Sequence, residues 1–422
     1  MQPHYPDSID DIDLSNWAFW RKSLEEREGA FALLRKERPV AFFEEGETSI
    51  PIQGAGYWVL SRHADVLHAS LNSQIFSSAK GITIIDTPPE AREFFGSMIV
   101  MDDPRHKRLR SLVSQAFTPR HLRQVENDVQ EAARRVINTV IERGECDFVD
   151  AIAAPFPIQI ICDMLGVPES QHAFVFEQTN IILGGIDPEY GTEDLAERFA
   201  AVIQAGQSLS QLMADMRQQR LQHPTDDLTS ALVYAELDGD RLTDQDLCSF
   251  FVLLVAAGNE TTRNAISHGI KLLHDFPDQR ALWQSDFDAY AKTAIEEIVR
   301  WASPVIYMRR TTTCDTEVGG QPLCQGEKVF LLYASANRDE AVFEDPYGFD
   351  ITRSPNEHLG FGAGAHFCLG VNLARREMAV MFRELFQRLP DLEITGEPER
   401  LTNNFIHGIK HLPCRFSPGP VI

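Results

Sequence analysis

Phe361-Gly-Ala-Gly-Ala-His366-Phe-Cys368-Leu-Gly370 leads without a break into Leu369 to Leu389, where apolar residues three and four apart predict a helix. Gly360, Gly362 and Gly364 fall within five residues, so the backbone there can approach a flat or phosphate-like ligand. A dinucleotide loop would need a buried strand before the glycines, and Thr352-Arg-Ser-Pro-Asn-Glu-His358 is not one. Nor would such a loop need Cys368 at the helix start. Free amide N–H groups and the helix dipole favour thiolate there, the form of cysteine that binds metal. One thiolate with no second sulfur beside it suits a single axial bond to haem iron.

The other cysteines support that reading. Cys146, Cys162, Cys248, Cys314, Cys324 and Cys414 are widely spaced and form no Cys-x-x-Cys pair, and the total of seven is odd. The pattern speaks against a disulfide framework, a zinc ribbon or an iron–sulfur cluster. Cysteine chemistry is therefore expected from one residue acting alone.

Composition bounds the rest. The chain has 422 residues, 43% of them apolar and 24% charged, as in an ordinary globular protein. Its net charge of −23 lacks the basic field that nucleic-acid binding requires. The longest purely apolar run, Phe250 to Ala257, is far below the roughly 20 residues of a spanning helix, so no membrane anchor is expected. The acidic start, Asp7-Ser-Ile-Asp-Asp-Ile-Asp13, lacks a signal peptide's apolar core, and a cytoplasmic protein is expected.

No repeat, low-complexity tract or linker divides the chain, so one domain over residues 1–422 is expected, with a loosely ordered arm over 1–15. The fold class reads as mainly α with small β-sheets. Helical periodicity covers Arg120 to Arg143, Thr192 to Gln222, Thr243 to His274, Ala289 to Trp301 and Leu369 to Leu389. Strand candidates are Tyr57 to Leu60, Lys328 to Tyr333 and a segment near Ile409. Thr243 suits an N-cap, and Asp244 and Asp246 suit the positive helix start that follows. Midway along this helix stands Ala257-Gly258-Asn259-Glu260-Thr261-Thr262. An ordinary core helix with one tolerated glycine is one reading of it. Proton delivery into a dry pocket is the other, since it requires an acid and a hydroxyl at such a place.

With these residues in view, the sequence resembles the cytochrome P-450 monooxygenases over about Ile9 to Phe416. The Cys loop matches their Phe-Gly-x-Gly-x-His-x-Cys-x-Gly pattern without a gap. Ala257-Gly258-x-Glu260-Thr261 looks like their oxygen-activation motif, and Glu297-Ile-Val-Arg300 like their Glu-x-x-Arg pair. Among them it looks most similar to mycobacterial-type methyl-branched-lipid ω-hydroxylases, with cholesterol side-chain hydroxylases as relatives.

The resemblance implies a triangular, helix-rich fold with haem b between a long distal helix and the Cys loop. It implies O2 as co-substrate, an apolar small-molecule substrate, and electrons from a ferredoxin and ferredoxin reductase. Cys368 would ligate iron, with Phe361, Gly362, Gly370, Ala257 and Gly258 against the ring and His106, Arg110, Arg309 and His366 on the propionates. Arg310, beside Arg309, could substitute for it. Thr261 and Glu260 would handle protons, and Arg353 would join Glu297 and Arg300 in a buried network. Ile82, Ile85, Phe95, Ile99, Leu253, Val305 and Phe405 would line the substrate tunnel, with plain core packing as the alternative for each. Arg105, Lys107, Arg108, Arg120, Arg123, Arg375 and Arg376 would form a basic docking patch. A haem-thiolate peroxygenase or reductase, or a non-catalytic haem-binding protein, would share the Cys loop without needing the acid–Thr pair.

Overall fold

A computed structural model describes residues 1–45, 55–84, 91–116, 119–192, 194–237 and 239–422, with backbone alone at 92–93, 115–116, 119–126 and 237. The helix Asp244–Asp275, 32 residues long, runs through the middle of the molecule. Thr243 caps it in a reciprocal box: its hydroxyl accepts from the Asp246 amide, and the Asp246 carboxylate accepts from the Thr243 amide. The helices Pro155–Leu165, His172–Leu183 and Leu195–Gln222 pack against this long helix, as do Phe287–Ala302 and Val371–Arg388. Its N-terminal half joins one apolar core through Phe250, Phe251 and Val255. Its C-terminal half joins another through Ile266, Ile270 and Leu273. The residues between these halves serve neither core completely.

The main sheet has five strands in the order Val40–Phe43, Tyr57–Leu60, Lys328–Leu331, Met308–Thr312 and Phe76–Ser77. Tyr57–Leu60 and Lys328–Leu331 pair in parallel and the other neighbours are antiparallel. A smaller sheet joins Glu145–Asp147, Pro413–Arg415 and Glu393–Ile394. No described helix is long and apolar enough to cross a membrane.

Part of the first fifteen residues lies against the helix Leu24–Glu37. Ser8 caps a short turn at Ile9–Asp11, the His4 amide donates to the Glu25 carbonyl at 2.8 Å, and Ile12 and Leu14 are buried. Gly29 permits the close approach, since a Cβ there would lie 2.0 Å from the His4 carbonyl oxygen.

A buried acid joins the long helix to the helix Val371–Arg388. Glu377 hydrogen-bonds Thr262, and burial pushes its carboxyl up to about 8. The folded state therefore holds a proton that the unfolded chain releases near its ordinary value. Stability from this group is full below the unfolded pKa and is lost as pH rises toward 8. Glu377→Gln, which keeps the shape and removes the titration, should gain on the wild type by up to about 1.4 kcal/mol per pH unit across that window. Denaturant unfolding of both proteins at several pH values measures this, and parallel curves would refute it.

Candidate functional site

The Cys368 loop is held by main-chain geometry that only glycine allows. Gly362 and Gly364 both take φ of 69°, and a Cβ on Gly364 would lie 2.4 Å from the Ser70 carbonyl oxygen. The Cys368 amide donates to the Phe361 carbonyl at 2.9 Å, folding the loop back on itself just before the helix begins. Burial pushes the Cys368 thiol up, opposed by the Gly370 amide and by Arg110 and Arg375. A bound cation would reverse that balance and take the thiolate.

Two consecutive acids of the helix Phe287–Ala302 brace this loop. Glu297 is fully buried and receives both nitrogens of the Arg300 fork at 2.8 Å. It also accepts from Arg353 Nε at 3.0 Å, Asn356 Nδ2 at 3.1 Å and the Asp350 amide at 3.1 Å. The expected network of Glu297, Arg300 and Arg353 is thus assembled, with two more donors than the sequence revealed. Glu296 takes Arg375 at 2.6 Å and His358 Nε2 at 3.0 Å, and His358 Nδ1 accepts from the Gly360 amide. Burial raises the Glu296 carboxyl, but His358 and Arg375 outweigh it and hold the group at about 2. Arg375 also lies over the Phe361 ring, 5.1 Å from its centroid.

Four basic side chains converge beside the loop. The ring centroids of His106 and His366 lie 4.3 Å apart with the planes tilted by 41°, and His106 Nε2 is buried with no hydrogen-bond partner. Arg110 Nη2 donates to the Phe367 carbonyl at 2.6 Å. Burial, with Arg310, His106 and Arg110 nearby, pushes His366 down to about 3. The arginine at this cluster is Arg310. Arg309, on the opposite face of the same strand, donates instead to the carbonyls of Thr83 and Ile84 and to the Thr311 hydroxyl. An orphaned imidazole nitrogen beside Arg110 and Arg310 fits a pair of anionic groups such as haem propionates.

On the long helix, Leu253, Ala257 and Thr261 share one face at four-residue spacing, and all three stay accessible in the middle of an otherwise buried helix. The Thr261 hydroxyl donates to the Ala257 carbonyl at 2.9 Å. Gly258 is also partly open, and a Cβ there would meet only Ile161, at 3.5 Å. Glu260 turns away from this face: Arg263 pairs with it and Asn264 Nδ2 donates to it at 3.0 Å. Phe95 packs on Gly206 of the helix Leu195–Gln222, where a Cβ would lie 3.0 Å from its ring. Val305 and Phe405 meet through the Val305–Ile406 bridge and the Ile306 amide bond to the Phe405 carbonyl. Ile82 and Ile99 are partly buried, and Ile85 lies outside the described residues.

The basic patch expected from the sequence is largely neutralised. Arg105 pairs with Asp246, Arg108 with Asp240 and Arg375 with Glu296, while Lys107 and Arg376 are exposed. The side chains of Arg120 and Arg123 lie outside the described residues.

Known proteins resemble this chain along nearly its whole length. A family profile described as Cytochrome P-450 matches residues 189–405. A methyl-branched lipid omega-hydroxylase of Mycobacterium tuberculosis is 50% identical over 413 residues, which is 97% of this chain and 95% of the relative. A steroid C26-monooxygenase of Mycolicibacterium smegmatis is 37% identical over 415 residues, 97% of this chain and 94% of that one. A Mycobacterium marinum cytochrome P-450, solved in complex with pseudoionone, superposes with a TM-score of 0.90 at 42% identity, covering 98% and 99% of the two chains. With such identity along almost its whole length, the chain belongs to the cytochrome P-450 monooxygenase family.

Proposed function

We propose that this cytochrome P-450 hydroxylates the terminal methyl of a long, apolar, methyl-branched lipid or isoprenoid chain, with a sterol side chain as a second substrate class. The 50% identity to a methyl-branched lipid omega-hydroxylase over almost the whole chain carries this reading. The apolar character of Leu253, Phe95, Ile99, Val305 and Phe405 agrees with it.

Haem, held through a thiolate, supplies the power to insert one oxygen atom from O2 into an unactivated C–H bond. Cys368 would ligate its iron, and His106, Arg110, Arg310 and His366 would hold its propionates. Ala257, Gly258 and Thr261 would face the ring, where a glycine and an alanine leave room for O2. The Thr261 hydroxyl, released from the Ala257 carbonyl, would position the proton-donating water. Glu260 would supply protons on exchanging Arg263 for solvent; the second contact of Arg263, to Asn180 at 3.2 Å, gives that arginine an alternative partner. Electrons would come from a ferredoxin and its reductase, with Lys107 and Arg376 the exposed cations on the side of the Cys loop. A peroxygenase would have no use for the Thr261 hydroxyl at the open face, which favours the monooxygenase reading.

Titrating the ferric protein with methyl-branched fatty acids, isoprenoids and sterols should give low- to high-spin Soret shifts, with ω-hydroxylated product under reducing partners. Shifts confined to compact polar molecules would overturn the substrate class. Cys368→Ser should fold yet lack the red-shifted Soret band that a thiolate ligand gives the reduced carbon monoxide complex. Retention of that band would exclude Cys368 as the ligand. Thr261→Ala should bind substrate within a few-fold of wild type while diverting electrons to peroxide, each tenfold loss of product formation corresponding to about 1.4 kcal/mol. Unchanged coupling of electrons to product would remove Thr261 from proton handling.

A further inference from the structure

The sequence suggested that no two cysteines act together, but the fold brings two of them face to face. Cys146 on Glu145–Asp147 and Cys414 on Pro413–Arg415 are direct cross-strand partners, although 268 residues separate them, and their sulfurs lie 3.6 Å apart. Flanking main-chain bonds, Phe148 N–H to the Leu412 carbonyl and Phe416 N–H to the Gly144 carbonyl, fix the register on both sides. At such a position Cα atoms are typically about 5.5 Å apart, inside the range of roughly 4.4–6.8 Å that a disulfide spans.

The two thiols differ in a way that assigns roles. Cys414 is buried and Cys146 is partly exposed, so a small oxidant meets Cys146 first. The contact between the two sulfurs lowers the Cys146 thiol below its ordinary value, while the same contact and burial raise Cys414. Cys162, by contrast, is buried, and burial pushes its thiol up to about 12.

We propose that Cys146 and Cys414 form a peroxide-sensitive thiol–disulfide site that clips the C-terminal strand to the strand Glu145–Asp147. The Cys146 thiolate attacks hydrogen peroxide: an S–O bond forms, the O–O bond breaks, and the departing hydroxide takes up a proton to leave as water. The Cys414 sulfur then attacks the Cys146 sulfenic acid; the S–S bond forms, the S–O bond breaks, and a second water leaves with the Cys414 proton. In sum, two thiols lose two electrons and one peroxide is reduced to two waters. Peroxide is the two-electron reduction product of the O2 that this enzyme class consumes, so uncoupled turnover supplies the oxidant. The clipped strand anchors the segment that carries Phe405 and bridges to Val305, which ties the redox state to the apolar side of the site.

The test uses the reduced, haem-loaded protein, treated with hydrogen peroxide, alkylated and mapped by mass spectrometry. Cys146 and Cys414 should lose reactivity together, a peptide containing Cys146 should be linked to one containing Cys414, and dithiothreitol should restore both. Oxidation should also move the denaturant midpoint upward. Cys146→Ser should lose the linked peptide and the midpoint shift while keeping the thiolate-type Soret band; Cys146→Ala serves if the serine variant does not fold. The proposal fails if Cys146 and Cys414 still alkylate after the exposed Cys314 and Cys324 have been oxidised, or if the linked peptides join other cysteines.

Discussion

A carboxylate removed completely from water must be matched donor for donor, and Glu297 imposes that condition on the chain around it. With the Arg300 fork, Arg353, Asn356 and the Asp350 amide all converging on its two oxygens, the segment that leads to the Cys loop has one place to lie. Arg300 extends the constraint by donating to the carbonyls of Asn337, Pro346 and Gly348. Breaking such a buried pair by deleting one partner typically costs about 3–5 kcal/mol, against about 0.3–0.5 for an exposed intrahelical pair. Glu296, next in the helix and turned about 100° away, grips His358 and Arg375 and so fixes the other margin of the same loop.

Charge organisation divides the molecule. The chain is strongly acidic, yet His106, His366, Arg110 and Arg310 gather where no carboxylate offsets them fully, and burial together with these neighbours holds His366 well below the usual imidazole range. Asp103 reaches His106 only at 3.3 Å through Nδ1, leaving Nε2 for another partner. An anionic ligand bound to such a cluster would stabilise the folded state by mass action.

Local chemistry was legible in the sequence and long-range contact was not. The Cys loop, the Thr243 cap and the Glu-x-x-Arg pair are each encoded within ten residues, and each stands where its pattern placed it. The five long helices matched to within a few residues, and Tyr57–Leu60 matched at both ends. Arg309 and Arg310 could not be told apart because strand alternation gives two faces without saying which one meets His366. The basic stretch near Arg105 looked unpaired because Asp240 and Asp246, which neutralise it, lie more than a hundred residues on. Cys146 and Cys414 are likewise joined only by strand register. Glu377 gave no signal at all, since a glutamate in a helix is ordinary until packing buries it.

Gly206 has a mechanical consequence. Because the absent side chain lets Phe94 and Phe95 press directly on the helix backbone, the turn that carries Phe95 has no slack against the helix Leu195–Gln222. Rotation of the ring toward Gly206 meets helix backbone, so the position of Phe95 is coupled to the 28-residue helix and, through it, to the His172–Leu183 helix packed alongside.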